Sequence, residues 1–202
     1  MMQRLAQPLG LLAALAAFAP RPALAQYDGA YGRLDGDLAL SLEAGAALGD
    51  RVAPAARIGA LYLETAGLYL SAAGRTSDSA PWSFGGGVEL RPLFLPRFFR
   101  ALEHGPATLD LALDSLSLRL GARRDDEHAP LSLELGTGLE LPLTGQYEGP
   151  FVGLSASALF PHTSLAAEAD AGSPPRLLGM LTIGWRLSAG THLVDLRDER
   201  AR

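Results

Sequence analysis

The chain contains no cysteine and no lysine, and beyond its leader-like start it has no long apolar run. Without cysteine there are no disulfides and no thiol chemistry, so an exported chain of this kind must draw its stability from backbone pairing and burial. Without lysine all 17 basic residues are arginine, which we read mainly as the codon bias of a GC-rich genome. Acidic residues outnumber them, for a formal charge of -5, and no basic run exists, so nucleic acid is not an expected partner. No stretch of 18 apolar residues offers a spanning helix. Zinc-ligand spacing is also missing. Gly85-Gly86-Gly87 has neither a phosphate-loop lysine nor a following helix, and reads as a place for strand bending or close packing.

What is there begins with residues 1–25, which read as a cleaved secretory signal. Arg4 supplies the positive start, Leu9 to Ala19 the apolar run, and Ala23-Leu24-Ala25 the small-residue cleavage site. The run is too short to cross a hydrocarbon core of about 30 Å. No cysteine follows the site to accept a lipid. Cleavage there would remove Arg4 and Arg21 and leave residues 26–202 as one more acidic domain, with a short charged tail over 188–202.

Within that domain the dominant pattern is leucine at every second position. Leu131-Ser132-Leu133-Glu134-Leu135-Gly136 is the clearest instance, and Leu38 to Glu43 and Leu109 to Asp114 repeat it. Strict alternation puts leucine on one face of a strand and the polar residues on the other. We lay out strands over 37–48, 56–64, 67–73, 83–93, 108–122, 131–143, 151–160 and 177–187. In the fifth the leucine phase changes between Leu113 and Leu116. A β-bulge near Asp114-Ser115 would restore the face, and a chain reversal there would change the strand count. The linkers alternate between polar stretches and turns, except for the longer run 94–107, read either as a short amphipathic helix at the inner interface or as a structured loop. Aromatics divide between two rims. Tyr27, Tyr31, Tyr62, Tyr69, Phe94, Phe98, Phe99, Tyr147, Phe151 and Trp185 fall near one, and Trp82, Phe84 and Phe160 near the other, as membrane-interface girdles do.

The expected fold is therefore all-β: an antiparallel up-and-down transmembrane β-barrel, with eight strands. Its outward face carries Leu, Val, Ala and Ile. Its inward face carries Glu43, Glu89, Arg91, Asp110, Asp114, Arg119, Glu134, Glu140 and Arg186, with Ser41, Gly87, Ser117, Ser132, Gly136, Gly138, Gly153, Ser155, Ser157, Thr182 and Gly184 between them. Arginine can bridge two carboxylates at once, so these nine charged residues are expected to form an ion-pair network plugging a narrow lumen. A soluble sandwich would be richer in Val, Ile and Thr.

Signal, strands and girdles together resemble the small bacterial outer-membrane β-barrels of the OmpA, OmpX and OmpW kind, over roughly residues 27–190. Thr182-Ile183-Gly184-Trp185-Arg186-Leu187 is similar to the assembly signal such proteins carry in the last strand, although here a charged tail follows it. The resemblance implies a monomer in the cell outer membrane, with outer-membrane lipid, lipopolysaccharide and the barrel assembly machinery as partners. Its expected role is structural or surface interaction. The OmpW kind suggests an alternative, a narrow channel for small apolar molecules. A lipid A modifying enzyme is the third reading, because lipid A deacylases use a His-x-Ser pair and His162-Thr163-Ser164 has that spacing, with Glu168 or Asp170 downstream. That tripeptide follows Pro161 in a loop, and no catalytic residue, cofactor or metal site is assigned. Asp125-Asp126-Glu127-His128 reads as a solvated charged loop before it reads as a cation site. His104 and His192 are isolated.

Overall fold

The computed structural model describes residues 31–33, 36–74, 82–100, 102, 105–125, 130–161 and 174–191. Residues 1–25, Tyr27, His104, the segments 126–129 and 162–173, and the tail from His192 onward lie outside them, and with them the expected signal and the His-Thr-Ser motif.

Eight strands follow one another in the chain: β1 (Leu38–Leu48), β2 (Val52–Tyr62), β3 (Ala66–Ala73), β4 (Ser83–Leu90), β5 (Ser117–Arg124), β6 (Ser132–Pro142), β7 (Gly149–Pro161) and β8 (Arg176–Ala189). Each pairs antiparallel with the next, and β8 returns to β1 with Leu38 opposite Ala189, so the sheet closes into a barrel without edges. Both strand-bearing ends of the chain emerge at one rim. We call it the turn end and the opposite rim the loop end. β2 starts four residues earlier than the alternation suggested, because the small residues of Val52-Ala53-Pro54-Ala55 pair with β1, and the first loop shrinks to Gly49–Arg51.

The fifth segment departs from expectation. Residues 108–116 are not strand and there is no bulge. After β4 the chain forms α1 (Phe94–Phe99) and α2 (Ala107–Asp114), and β5 begins only at Ser117. Ala107-Thr108-Leu109-Asp110-Leu111-Ala112-Leu113-Asp114 includes only one β-branched residue, so intrinsic preference favours helix where β4, ending at Leu90 opposite Leu118, no longer offers a partner. Pro106, extended at φ -60° and ψ 133°, sets the start, and the Ser115 N–H closes the last turn on the Leu111 carbonyl at 3.0 Å. The phase change between Leu113 and Leu116 marks the helix-to-strand junction.

Alternation along the strands holds elsewhere and sets two faces. Leu42, Leu68, Leu177 and Ile183 are 64, 65, 73 and 66 % exposed on the outside. Within the strands the outward phase carries one charge, Arg124, at the loop end of β5. Inward positions are stacked in layers. Ala47, Ala55, Ala73, Leu159, Leu178 and Met180 make an apolar layer at the loop end. Charged residues occupy the middle, and Ala39, Leu61, Leu111 and Tyr147, with Tyr31 against them, make a second apolar layer at the turn end.

Space inside so narrow a barrel has to be opened for long side chains. A Cβ on Gly121 would come 2.5 Å from the Tyr69 hydroxyl, and one on Gly85 would come 2.9 Å from both the Arg123 guanidinium and a Glu134 carboxylate oxygen. Glycine at these positions lets the ring and the ion pair lie against bare backbone, which is the close-packing role expected of the Gly85 to Gly87 run.

Candidate functional site

Ten charged side chains project into the middle of the barrel, none more than 6 % exposed. Five are arginines (57, 91, 119, 123 and 186) and five are glutamates (43, 64, 89, 134 and 140), so the set is formally neutral. β2 places Arg57 at the centre. Its Nε lies 3.1 Å from Glu43 and its Nη2 2.9 Å from Glu89 and 3.7 Å from Glu140. Arg91, just past β4, reaches Glu64 at 3.1 Å, Glu89 at 3.4 Å and Glu140 at 2.7 Å. Arg119 on β5 donates to Glu89 at 3.1 Å, and Arg186 on β8 pairs with Glu140. One network thus ties six of the eight strands, β1, β2, β4, β5, β6 and β8, together across the lumen.

Nearer the loop end Arg123 forms a separate node. It donates to Glu134 at 3.0 Å, Ser83 at 3.0 Å and Ser71 at 2.7 Å, while Ser157 donates to the other Glu134 oxygen. Thr182 does the same for Glu43 at 2.6 Å. Aromatic rings complete the shell around the cations. The Arg186 guanidinium stands 4.3 Å from the Tyr147 ring centre and 4.9 Å from that of Phe151, and Arg57 and Arg119 flank Tyr69. Tyr69, Phe94, Tyr147 and Phe151 are all buried, so they are not rim aromatics. Inward strand phase or packing against arginine takes them off the girdle.

The expected residues Glu43, Glu89, Arg91, Arg119, Glu134, Glu140 and Arg186 come together in this lumen set. Asp110 and Asp114 do not. Because 107–114 is helix, they leave the strand wall and belong to a cap over the turn end. There Arg97 of α1 bonds Asp110 at 2.5 Å and Asp114 at 2.8 Å, and Arg33 from the N-terminal lead bonds Asp114 at 2.5 Å. The Tyr31 hydroxyl donates to Asp110 at 3.0 Å, and the Arg33 guanidinium sits 4.6 Å from the ring centre of Phe94. Asp37 anchors Thr191 at the same rim.

Sequence reasoning missed Arg57, Glu64 and Arg123. Arg57 alternates with the outward Ala56 and Ile58 and could have been read from its phase. Arg123 shares the phase of Arg119 and Gly121 but lies one residue beyond the strand as drawn. Glu64 carried no such signal. It sits in the β2–β3 turn with φ 57°, next to Leu63 at φ 46°, and this pair of left-handed residues turns its side chain back into the barrel.

Chemically, every carboxylate of the lumen set is held by at least one arginine, an arrangement suited to fixing geometry. At the loop end Asp125 pairs with Arg176 at 2.5 Å. Among the described residues, no group of His, Asp and Glu is placed to hold a metal ion.

No family model and no curated protein matches the chain. Among solved structures it is similar to the N-terminal β-barrel domain of Pseudomonas aeruginosa OprF, with 13 % identity over 75 % of this chain and 98 % of that one and a TM-score of 0.46. It is also similar to Ail, the attachment invasion locus protein of Yersinia pestis, with 13 % identity over 74 % of this chain and 96 % of that one and a TM-score of 0.35.

Proposed function

We propose that this chain is a monomeric outer-membrane β-barrel with a structural or surface-interaction role, its lumen plugged by the arginine–glutamate network. The observation that carries this reading is its inverted polarity. The middle of the interior is charged while most outward leucines of the strands are 40–73 % exposed, the reverse of a water-soluble domain. Full burial of a leucine side chain is favourable by about 1.5–3 kcal/mol, so a belt of this kind has a strong preference for a non-aqueous surrounding. Hydrocarbon supplies it, and a closed barrel leaves no backbone group unpaired there.

Burying an ion removes hydration worth several kcal/mol even after relaxation, and only neighbouring opposite charges and hydrogen bonds offset that loss. Five arginines facing five glutamates meet this condition, which supports a plug over a water-filled pore. A charged lumen is likewise a poor path for an apolar molecule. Lipopolysaccharide and outer-membrane lipid are the surrounding partners in this reading. The inward Thr182, Gly184 and Arg186 alternate with the outward Ile183, Trp185 and Leu187 in β8, which gives the last strand an apolar outward face for the barrel assembly machinery to take up. Catalysis is not part of the proposal.

Two measurements test it. The folded protein should fractionate with the outer membrane and migrate faster on a gel before boiling than after, and recovery from the soluble periplasm would overturn the membrane placement. Reconstituted in a planar bilayer, it should give no regular conductance steps. Steps of uniform size would overturn the plug.

A further inference from the structure

Helix α2 buries both of its carboxylates and leaves two of its leucines outside. A surface helix of a soluble domain turns its apolar stripe inward and its charges outward. In α2, Asp110 and Asp114 are 3 % exposed and lie beside the buried Leu111 and Ala112, whereas Leu109 and Leu113, one turn apart on a neighbouring stripe, are 53 and 40 % exposed. The buried carboxylates are already paired with Arg33 and Arg97, so their burial is explained, and the exposed leucines are what remains.

The position of the helix says what covers them. β5 pairs with β6 only from Ser117 opposite Gly138 to Arg123 opposite Ser132, while β6 runs on to Pro142. The last stretch of β6 therefore lacks a strand on its β5 side. α2 lies there instead, and the Ser115 hydroxyl takes the Glu140 N–H at 2.8 Å, where a strand carbonyl would otherwise have stood. Leu116 leads from the helix into β5 and is itself exposed, followed by Leu118 and Leu120 on the outward face of the strand. The leucine stripe of α2 is thus continuous with the outer belt of the barrel.

We infer that α2 is a helical section of the membrane-embedded wall, with Leu109, Leu113 and Leu116 in contact with phospholipid acyl chains of the leaflet at the turn end. The inference rests on the membrane reading above and extends it. The helix satisfies its own backbone, so it can replace a strand at that depth without exposing unpaired N–H and C=O groups to hydrocarbon. Phe99 at the end of α1 and Arg100 just after it, both exposed, mark the level at which the chain returns to the interface.

Because the chain has no cysteine, single cysteines can be spin-labelled in the full-length protein folded into phosphatidylcholine–phosphatidylglycerol vesicles. The variants are Leu113→Cys and Leu109→Cys on the stripe, Leu120→Cys on the outward face of β5, and Asp50→Cys in the first loop. Each is checked for folding by its heat-shifted gel mobility, and the second stripe position serves if the first does not fold. The expected result is that oxygen collides with the stripe labels more often than a water-soluble nickel chelate does, as at position 120, with the order reversed at position 50. Chelate dominating on the stripe while position 120 remains lipid-like would place α2 in water and overturn the inference alone. Low collision rates for both reagents on the stripe would mean that protein covers it, and would overturn it too. Chelate dominating at position 120 as well would remove the membrane reading itself.

Discussion

At the loop end, the inside of the barrel is occupied by Ala47, Ala55, Ala73, Leu159, Leu178 and Met180, side chains that the strands themselves supply. At the turn end it is covered by Arg33, Arg97 and the two aspartates of α2, which come from outside the sheet. The first layer exists as soon as the barrel closes. The second needs the N-terminal lead to meet a helix 81 residues away in sequence, after closure has built the surface on which both lie. The loop-end layer should therefore be inseparable from the barrel's global stability, and the cap should be removable by itself. The charged network between them couples strands and should be the most sensitive region of all.

The largest effect is expected at that middle region. Arg57→Ala leaves Glu43, Glu89 and Glu140 without their shared cation, and loss of one partner from a buried ion pair costs about 3–5 kcal/mol. Urea unfolding in lipid vesicles, followed by gel mobility, should register that loss. An unchanged midpoint would mean that Arg57 is not the centre of the network. Next comes Leu159→Ala in the loop-end layer. It removes a fully packed side chain and should lower the unfolding free energy read from the same transition by about 2–4 kcal/mol.

Arg33→Ala sharpens the contrast between the ends. Asp114 keeps Arg97 at 2.8 Å, so we expect about 1–2 kcal/mol. The change should be seen chiefly as faster amide exchange in α2, with β1 to β4 protected as before. Equal acceleration in the strands would show that cap and barrel open as one unit. The smallest effect belongs outside. Leu118 is exposed, and in the proposed membrane setting Leu118→Ala should cost about 0.5 kcal/mol, the scale of a single leucine's transfer into the membrane. A loss as large as that of Leu159→Ala would show that the outward face is packed against protein.

The strands and their two faces were legible because a pleated strand separates neighbours by face whatever lies across from them. The residues 109–114 show where this fails. Leu109-Asp110-Leu111-Ala112-Leu113-Asp114 satisfies a period of two and also repeats Leu and Asp at a spacing of four, so local pattern fits strand and helix alike. β4 ends opposite Leu118, so a strand here would have had β6 on one side alone, and the segment is helix; Pro106 together with the phase change at Leu116 was the only local trace of it. The aromatic assignments failed for a related reason. Tyr69 and Phe151 lie near a rim in sequence, but their inward phase puts them among arginines.

The sequence by itself determined the alternation, and with it an apolar and a more polar face along the strands, because alternation of side-chain direction is a property of each strand alone; closure of the barrel decided that the charged face turns inward. Only the tertiary structure decided which charges meet. Arg57 finds Glu43, Glu89 and Glu140 from three other strands, Thr182 finds Glu43 across 139 residues, and Glu64 enters through a turn. Such pairings depend on register, on closure and on where β5 stops, and these are settled by hydrogen bonds between distant segments that no local pattern encodes.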